Sequence, residues 1–137
     1  MPNRTVYYVL GKVNELPKAE RAVALATNND PAVKAVLVHM FHPDIKFLLP
    51  EGEPPYKKSQ FEDPGRLYTE YKKFYLFCDG GHDGIRQNKR EQLFVNLLES
   101  VDPDEAELLI AMKEKKSPFK NITPALVKEA FPGLLPT

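Results

Sequence analysis

The sequence lacks the features that mark secreted and membrane proteins. Cys78 is its only cysteine, which excludes an internal disulfide and favours a reducing compartment such as the cytoplasm. No apolar run approaches the ~18 residues that a transmembrane helix needs. The N-terminal segment also lacks the apolar stretch and the small-residue cleavage site of a signal peptide. We therefore expect a cytoplasmic protein.

An excess of charge of either sign is missing as well. The 137 residues include 19 basic and 19 acidic side chains, so the formal net charge is zero. Non-specific nucleic-acid binders usually have a basic surplus. Any contact with nucleic acid therefore has to come from local basic patches. Hydrophobic residues make up 42% of the chain and charged residues 28%, which predicts one folded domain over 1–137.

Catalytic motifs are absent too. The sequence contains no nucleophile-plus-base constellation and no nucleotide-binding P-loop. The Lys-x-Asp-Gly motif of covalent adenylation is approached at 77–80 and 81–84, and neither segment has the lysine. His39, His42, Cys78 and His82 have tolerable zinc-ligand spacings, but Cys78 lies on an apolar helical stripe, where a core role is expected. We predict no enzymatic activity, no cofactor and no bound metal.

What the sequence does contain is helical periodicity with marked helix starts. Proline follows a capping side chain at Asp30, Asp102 and Thr123, as it does at first helical positions. Asp102 also has Glu105 three residues on, which resembles a capping box. The periodicity predicts an all-α fold of about seven short helices. Their segments are 6–13, 18–27, 33–41, 67–78, 93–101, 102–116 and 126–131.

Two loops separate these helices. The segment 42–64 contains five prolines, which exclude a continuous helix, and 79–84 contains three glycines. Residues 45–49 hint at a strand that is too isolated to build a sheet. On the helix before the Gly-rich loop, the α-helical stripe predicts that Tyr71 and Tyr75 are buried and that Tyr68 is exposed.

The candidate binding residues form two groups. Glycines let a backbone approach a phosphate closely, so the Gly-rich loop and the basic residues after it predict one phosphate-binding run. A second run is predicted in the basic patch after Met112, although lysines at a helix C-terminus also arise from dipole complementarity alone. The predicted contacts are Gly80, Gly81, Arg86, Lys89, Arg90, Lys113, Lys116 and Lys120.

The last third of the chain carries a family resemblance. An acidic helix start leads into a helix with methionine and lysines, and a short helix then ends in Phe-Pro-Gly-Leu at 131–134. This order resembles the end of the all-α N-terminal DNA-binding domain of ATP-dependent DNA ligases from T-even-like phages. The blocks at 48–52, 89–94, 97–101 and 130–134 are similar to those of small uncharacterised proteins in marine phages of this type, including cyanophages.

The resemblance implies a phage protein in the cytoplasm of a bacterial host. Ligase domains of this kind grip duplex DNA through its backbone, so it also implies a non-catalytic accessory protein that binds duplex DNA in replication, repair or transcription. The neutral net charge keeps a different class of function open. In that alternative, the chain is a protein-interaction adaptor or a minor virion component that has the fold without the DNA grip.

Overall fold

In the computed structural model, residues 4–136 form a bundle of seven α-helices and one 3-10 helix, without a β-strand over that range. The 3-10 helix, η1 (Tyr71–Phe77), lies between α4 and α5. The predicted all-α fold is therefore confirmed, and residues 1–3 and 137 of the predicted domain lie outside the described part. The helices are α1 (Val6–Glu15), α2 (Lys18–Thr27), α3 (Pro31–Phe41), α4 (Leu67–Glu70), α5 (Gln87–Ser100), α6 (Pro103–Lys113) and α7 (Pro124–Ala130).

Two apolar helices form the centre of the core. α3 buries five residues along its length and α6 buries four apolar ones, so each can pack against several neighbours. α3 contacts α4, η1 and α6, whereas α6 contacts α1, α3 and α5. α2 buries only Leu25 and packs at the edge against α1 and α7. None of the helices within residues 4–136 has the length and apolarity that crossing a bilayer requires.

Two of the three predicted proline-linked caps form. The Asp30 carboxylate accepts a hydrogen bond from the Ala32 amide at 2.8 Å, and Thr123 Oγ1 accepts one from the Leu126 amide at 3.2 Å. Each satisfies a backbone donor that the first helical turn leaves free. Thr5 caps α1 in the same way through the Tyr8 amide.

The predicted capping box at the start of α6 is wrong. Asp102 makes no side-chain cap, and its Oδ1 instead accepts a hydrogen bond from the Asp63 amide at 2.7 Å. Glu105 is fully buried, and its Oε2 accepts from the Val6 amide at 2.8 Å. α1 packs against α6, and this places unpaired amides of the first turn of α1 close to the Glu105 side chain. The Glu105 carboxylate therefore accepts a hydrogen bond from α1 instead of capping α6.

The predicted helix over 67–78 is divided. α4 stops after one turn and the chain tightens into η1, in which side chains repeat every three residues rather than every 3.6. Phe74 and Phe77 are buried at that spacing, and Tyr75 is 50% exposed. The prediction that Tyr75 is buried is therefore wrong, and Tyr68, predicted to be exposed, is half-buried.

The two predicted loops are attached to the bundle and to each other. Phe47 and Cys78 form an isolated antiparallel bridge, which accounts for the strand-like pattern at 45–49. The Leu48 amide donates to the Phe77 carbonyl and the Asp79 amide to the Lys46 carbonyl, both at 2.8 Å. The Pro-rich loop is thus fixed beside the Gly-rich loop.

Candidate functional site

The glycines of the Gly-rich loop have local structural roles. Gly80 adopts a φ of +81°, which side-chain-bearing residues rarely adopt, and the Gly81 amide donates to the Cys78 carbonyl at 3.1 Å. A Cβ at Gly81 would collide with the Tyr75 carbonyl oxygen. The Gly81 amide closes a turn, so it does not supply the free donor that phosphate binding requires.

Arg90 is a structural residue rather than an exposed cation. Its side chain lies in a buried position, 5% exposed, at the junction of η1, the Gly-rich loop and α5. Nε donates to the Leu76 carbonyl at 3.0 Å, and Nη2 donates to the His82 carbonyl at 3.2 Å. Nη1 donates to Gln87 Oε1 at 2.7 Å. Of the predicted contacts Arg86, Lys89 and Arg90, only Arg86 and Lys89 are exposed and available to a ligand.

The lysine patch after Met112 divides in a similar way. Lys113 is 5% exposed, and its Nζ donates to the Pro50 carbonyl at 2.9 Å and to Glu114 Oε2 at 2.7 Å. Lys115 adopts a φ of +60°. Its Nζ donates to the backbone carbonyl of His39 in the last turn of α3 and to those of His42 and Ile45 after that helix. Burial lowers the pKa of Lys115. Lys113 thus connects α6 to the Pro-rich loop, and Lys115 connects the end of α6 to the end of α3. Lys116 and Lys120 are exposed.

Lys120 lies in a cluster of cations that the sequence patterns did not reveal. A cleft of about 220 Å³ between α2 and the start of α7 is lined by Lys18, Arg21 and Lys120, with Glu129 as its carboxylate. We call these three basic residues the cation cleft. The Arg21 Nε donates to the Leu16 carbonyl at 2.9 Å, which leaves the other guanidinium donors of this side chain for a ligand.

The backbone around Lys120 is held firmly. Phe119 is buried and its ring packs against the Tyr7 ring at a centroid distance of 5.0 Å. On the other side, the Asn121 amide donates to Asn14 Oδ1, and its Nδ2 donates to the Asn14 carbonyl, both at 2.8 Å. The main chain that bears Lys120 is therefore positioned before any ligand arrives, which lowers the entropic cost of binding.

Sequence reasoning missed Lys18 and Arg21 because they begin a helix with a poorly defined apolar face. A signal was present, since the two residues are three apart and so share one face of α2. Lys18 and Arg21 lie near Lys120 because α2 packs against α7, and these segments are about a hundred positions apart in the sequence. No local pattern contains that contact.

Three of the four residues weighed as zinc ligands have other contacts. His39 packs between the Phe47 and Phe74 rings, and burial lowers its pKa. The buried Cys78 thiol donates to the Phe74 carbonyl at 3.4 Å, and burial raises its pKa to about 11. His82 stacks on the exposed Tyr75 ring.

One comparison with known proteins identifies a family. A family of unknown function, DUF6433, matches residues 9–118. The chain belongs to the DUF6433 family. No curated protein and no solved structure matches it. The resemblance to phage ligase domains and to marine phage proteins thus stays a prediction. The DUF6433 match contains Lys18, Arg21 and Lys116 but ends before Lys120.

Proposed function

We propose that the protein is a non-catalytic accessory protein that binds duplex DNA through its sugar-phosphate backbone, in replication, repair or transcription of a phage. The observation that supports this function is the cation cleft, where Lys120, a predicted contact, lies with Lys18 and Arg21. Lys116 is close to Lys120 in sequence and is also exposed. Lysine and arginine side chains that converge from α2 and from the segment before α7 suit phosphate groups, which offer no base code.

The chemistry of such a site sets the expected behaviour. Each phosphate contact releases condensed counterions, so affinity falls as salt rises. Zero net charge means that the whole molecule does not attract DNA over a long range, and binding depends on the local cluster. We therefore expect moderate affinity that is insensitive to base sequence. Arg86 and Lys89 remain exposed and retain their predicted role as a second contact run.

Neutralising the cation cleft tests this function. Fluorescence anisotropy with a labelled duplex should show binding at low salt by the parent protein. The variant Lys18→Gln with Lys120→Gln should bind more weakly and lower the salt slope by roughly 2, because each phosphate contact contributes about 0.9. Both side chains are exposed, so the fold should be unaffected.

A matched control separates the cleft from general charge effects. Lys57→Gln with Lys58→Gln removes the same charge from two exposed lysines of the Pro-rich loop and should leave DNA affinity nearly unchanged. Equal losses in the two variants would show that the cleft is not the site. The absence of a complex between the parent protein and DNA at low salt would reject the DNA function.

A second candidate function is a protein-interaction adaptor or a minor virion component. The observation that favours it is the burial of Arg90 and Lys113, which removes two of the predicted cations from the surface of a protein without net charge. Rejection of DNA binding in the anisotropy experiment would leave this function as the better account.

A further inference from the structure

A second candidate binding surface is a groove between the Pro-rich loop and α5. Its cavity measures about 500 Å³, with residues 49–55 on one side and α5 on the other. We call it the α5 groove. Phe94 and Lys113 line it from buried positions, and the half-buried Val95 gives it a further apolar surface. Its described lining falls within residues 49–113, so it belongs entirely to the DUF6433 match.

The loop side of the groove is fixed in place by long-range hydrogen bonds. Gln87 Nε2 donates to the Leu48 carbonyl at 2.7 Å, and Lys113 Nζ donates to the Pro50 carbonyl at 2.9 Å. The Gly52 amide donates to Glu114 Oε1 at 3.0 Å. Adjacent prolines at 54 and 55 restrict the backbone further. A groove with walls fixed in advance binds a ligand at a lower entropic cost.

Negative charge surrounds this apolar surface. Glu51, Glu53 and Glu91 line the groove, and within residues 4–136 none of the three has an ion-pair partner. Lys113, the one cation of the described lining, has its Nζ 2.7 Å from the Glu114 carboxylate. Phosphate groups are repelled by such a rim, so DNA is not its occupant. A ligand with positive charges beside an apolar group would match both features.

The arrangement of the carboxylates favours an extended chain. Glu51 and Glu53 lie on the loop side of the groove, and Glu91 lies on the α5 side. A chain segment can place cationic side chains beside carboxylates on two walls at once, while one apolar side chain contacts Val95 and Phe94. Such segments are common recognition elements for preformed grooves.

We propose that the α5 groove binds an extended segment of a partner protein in which lysine or arginine flanks an apolar residue. Among the described residues, this groove shares none of its lining with the cation cleft, so binding a peptide there is an activity beyond DNA binding. Together with DNA binding at the cation cleft, the proposed function on which this step rests, the groove would make the protein a connector that holds a partner chain beside DNA.

Peptide titration followed by NMR tests the groove. The probes are short peptides with blocked ends that alternate lysine and leucine, glutamate and leucine, or lysine and glycine. The lysine–leucine peptide should shift the backbone amide of Gly52 and the side-chain amides of Asn88 and Gln92. The glutamate–leucine peptide should not bind, and the lysine–glycine peptide should bind more weakly because it lacks the apolar contact.

The triple variant Glu51→Gln, Glu53→Gln and Glu91→Gln should weaken lysine–leucine binding by about tenfold, which corresponds to about 1.4 kcal/mol. Its DNA affinity should not fall, which separates this proposal from the proposed function. The control variant replaces exposed carboxylates elsewhere and should keep parental affinity; its changes are Glu20→Gln, Glu62→Gln and Glu107→Gln.

Three results would overturn the proposal. The first is the absence of shifts at the groove with the lysine–leucine peptide. The second is binding of the glutamate–leucine peptide with equal affinity. The third is an equal loss of affinity in the groove variant and the control variant. Thermal unfolding of both variants by circular dichroism checks that they are folded.

Discussion

Single charged residues in this protein differ sharply in what they do, and neighbouring basic residues can have unrelated roles. Arg90 is buried and donates to the Leu76 and His82 carbonyls, whereas Arg86 and Lys89 are exposed. We expect Arg90→Ala to reduce the free energy of unfolding by roughly 3 kcal/mol, because hydrogen bonds to charged groups contribute about 1.5–3 kcal/mol each. Urea denaturation provides the measurement.

The control for this substitution is Arg86→Ala with Lys89→Ala, which should change the free energy of unfolding little, because exposed charges contribute little. Arg90→Lys should also destabilise the protein, because an ammonium cannot reproduce the planar fork of the guanidinium. A stable Arg90→Ala variant would contradict the structural role of this residue.

The sequence identified these charges as basic residues but could not tell which were buried. The partners of Arg90 and Lys113 include backbone carbonyls, those of Leu76 in η1 and Pro50 in the Pro-rich loop, and every residue type supplies a carbonyl. Side-chain caps such as Asp30 could be predicted, because capping uses particular residue types at fixed spacing. Glu105 has the capping-box spacing, but its partner lies 99 residues away.

At the scale of elements, the sequence predicted a helix correctly where the spacing of its apolar residues matches the 3.6-residue repeat of an α-helix. α1 and α3 bury their apolar stripes as the spacing requires. The segment 67–78 differs because η1 repeats every three residues, and short aromatic runs fit both periods. The junction of α6 with the end of α3 was not predictable, because it depends on one lysine in an unusual backbone conformation.

That junction yields a prediction about Lys115. Its Nζ donates to the His39 and His42 carbonyls at 2.8 Å and to the Ile45 carbonyl at 3.1 Å, so it caps the C-terminal end of α3 with a cation. Lys115→Met keeps a similar length without the charge and should lower the free energy of unfolding by about 2 kcal/mol. Lys116→Met, on an exposed neighbour, should have little effect. Equal stabilities of the two variants would exclude the capping role.

At the scale of the whole molecule, one continuous core joins α1 to the segment that follows α7. Buried residues from Val6 to Leu135 belong to the same cluster, so the bundle should unfold as a unit. The Glu105 carboxylate ties α1 to α6 within this core, 99 positions from its partner Val6. Its titration should therefore be visible in the global stability.

The pKa of Glu105 is raised to about 7, chiefly by burial and also by Asp102 and Asp104, against the lowering effect of hydrogen bonds from the Val6 and Tyr7 amides. Because the folded pKa exceeds the value in the unfolded chain, the folded protein binds more protons between the two, and stability falls as pH rises through about 7. The loss amounts to up to about 3 kcal/mol, since one pKa unit corresponds to about 1.4 kcal/mol.

Glu105→Gln should remove this dependence, because a neutral amide can accept the Val6 hydrogen bond at every pH. The unfolding free energy of the variant minus that of the parent should therefore rise from mildly acidic to mildly alkaline pH. Taking this difference cancels the other titrating groups, including His39 and Glu70. Glu107→Gln, an exposed neighbour on α6, is the control and should leave the pH profile unchanged. Parallel profiles for parent and Glu105→Gln would mean that Glu105 stays ionised in the fold, and the buried carboxylate would then need a cation or further donors that α1 alone does not provide.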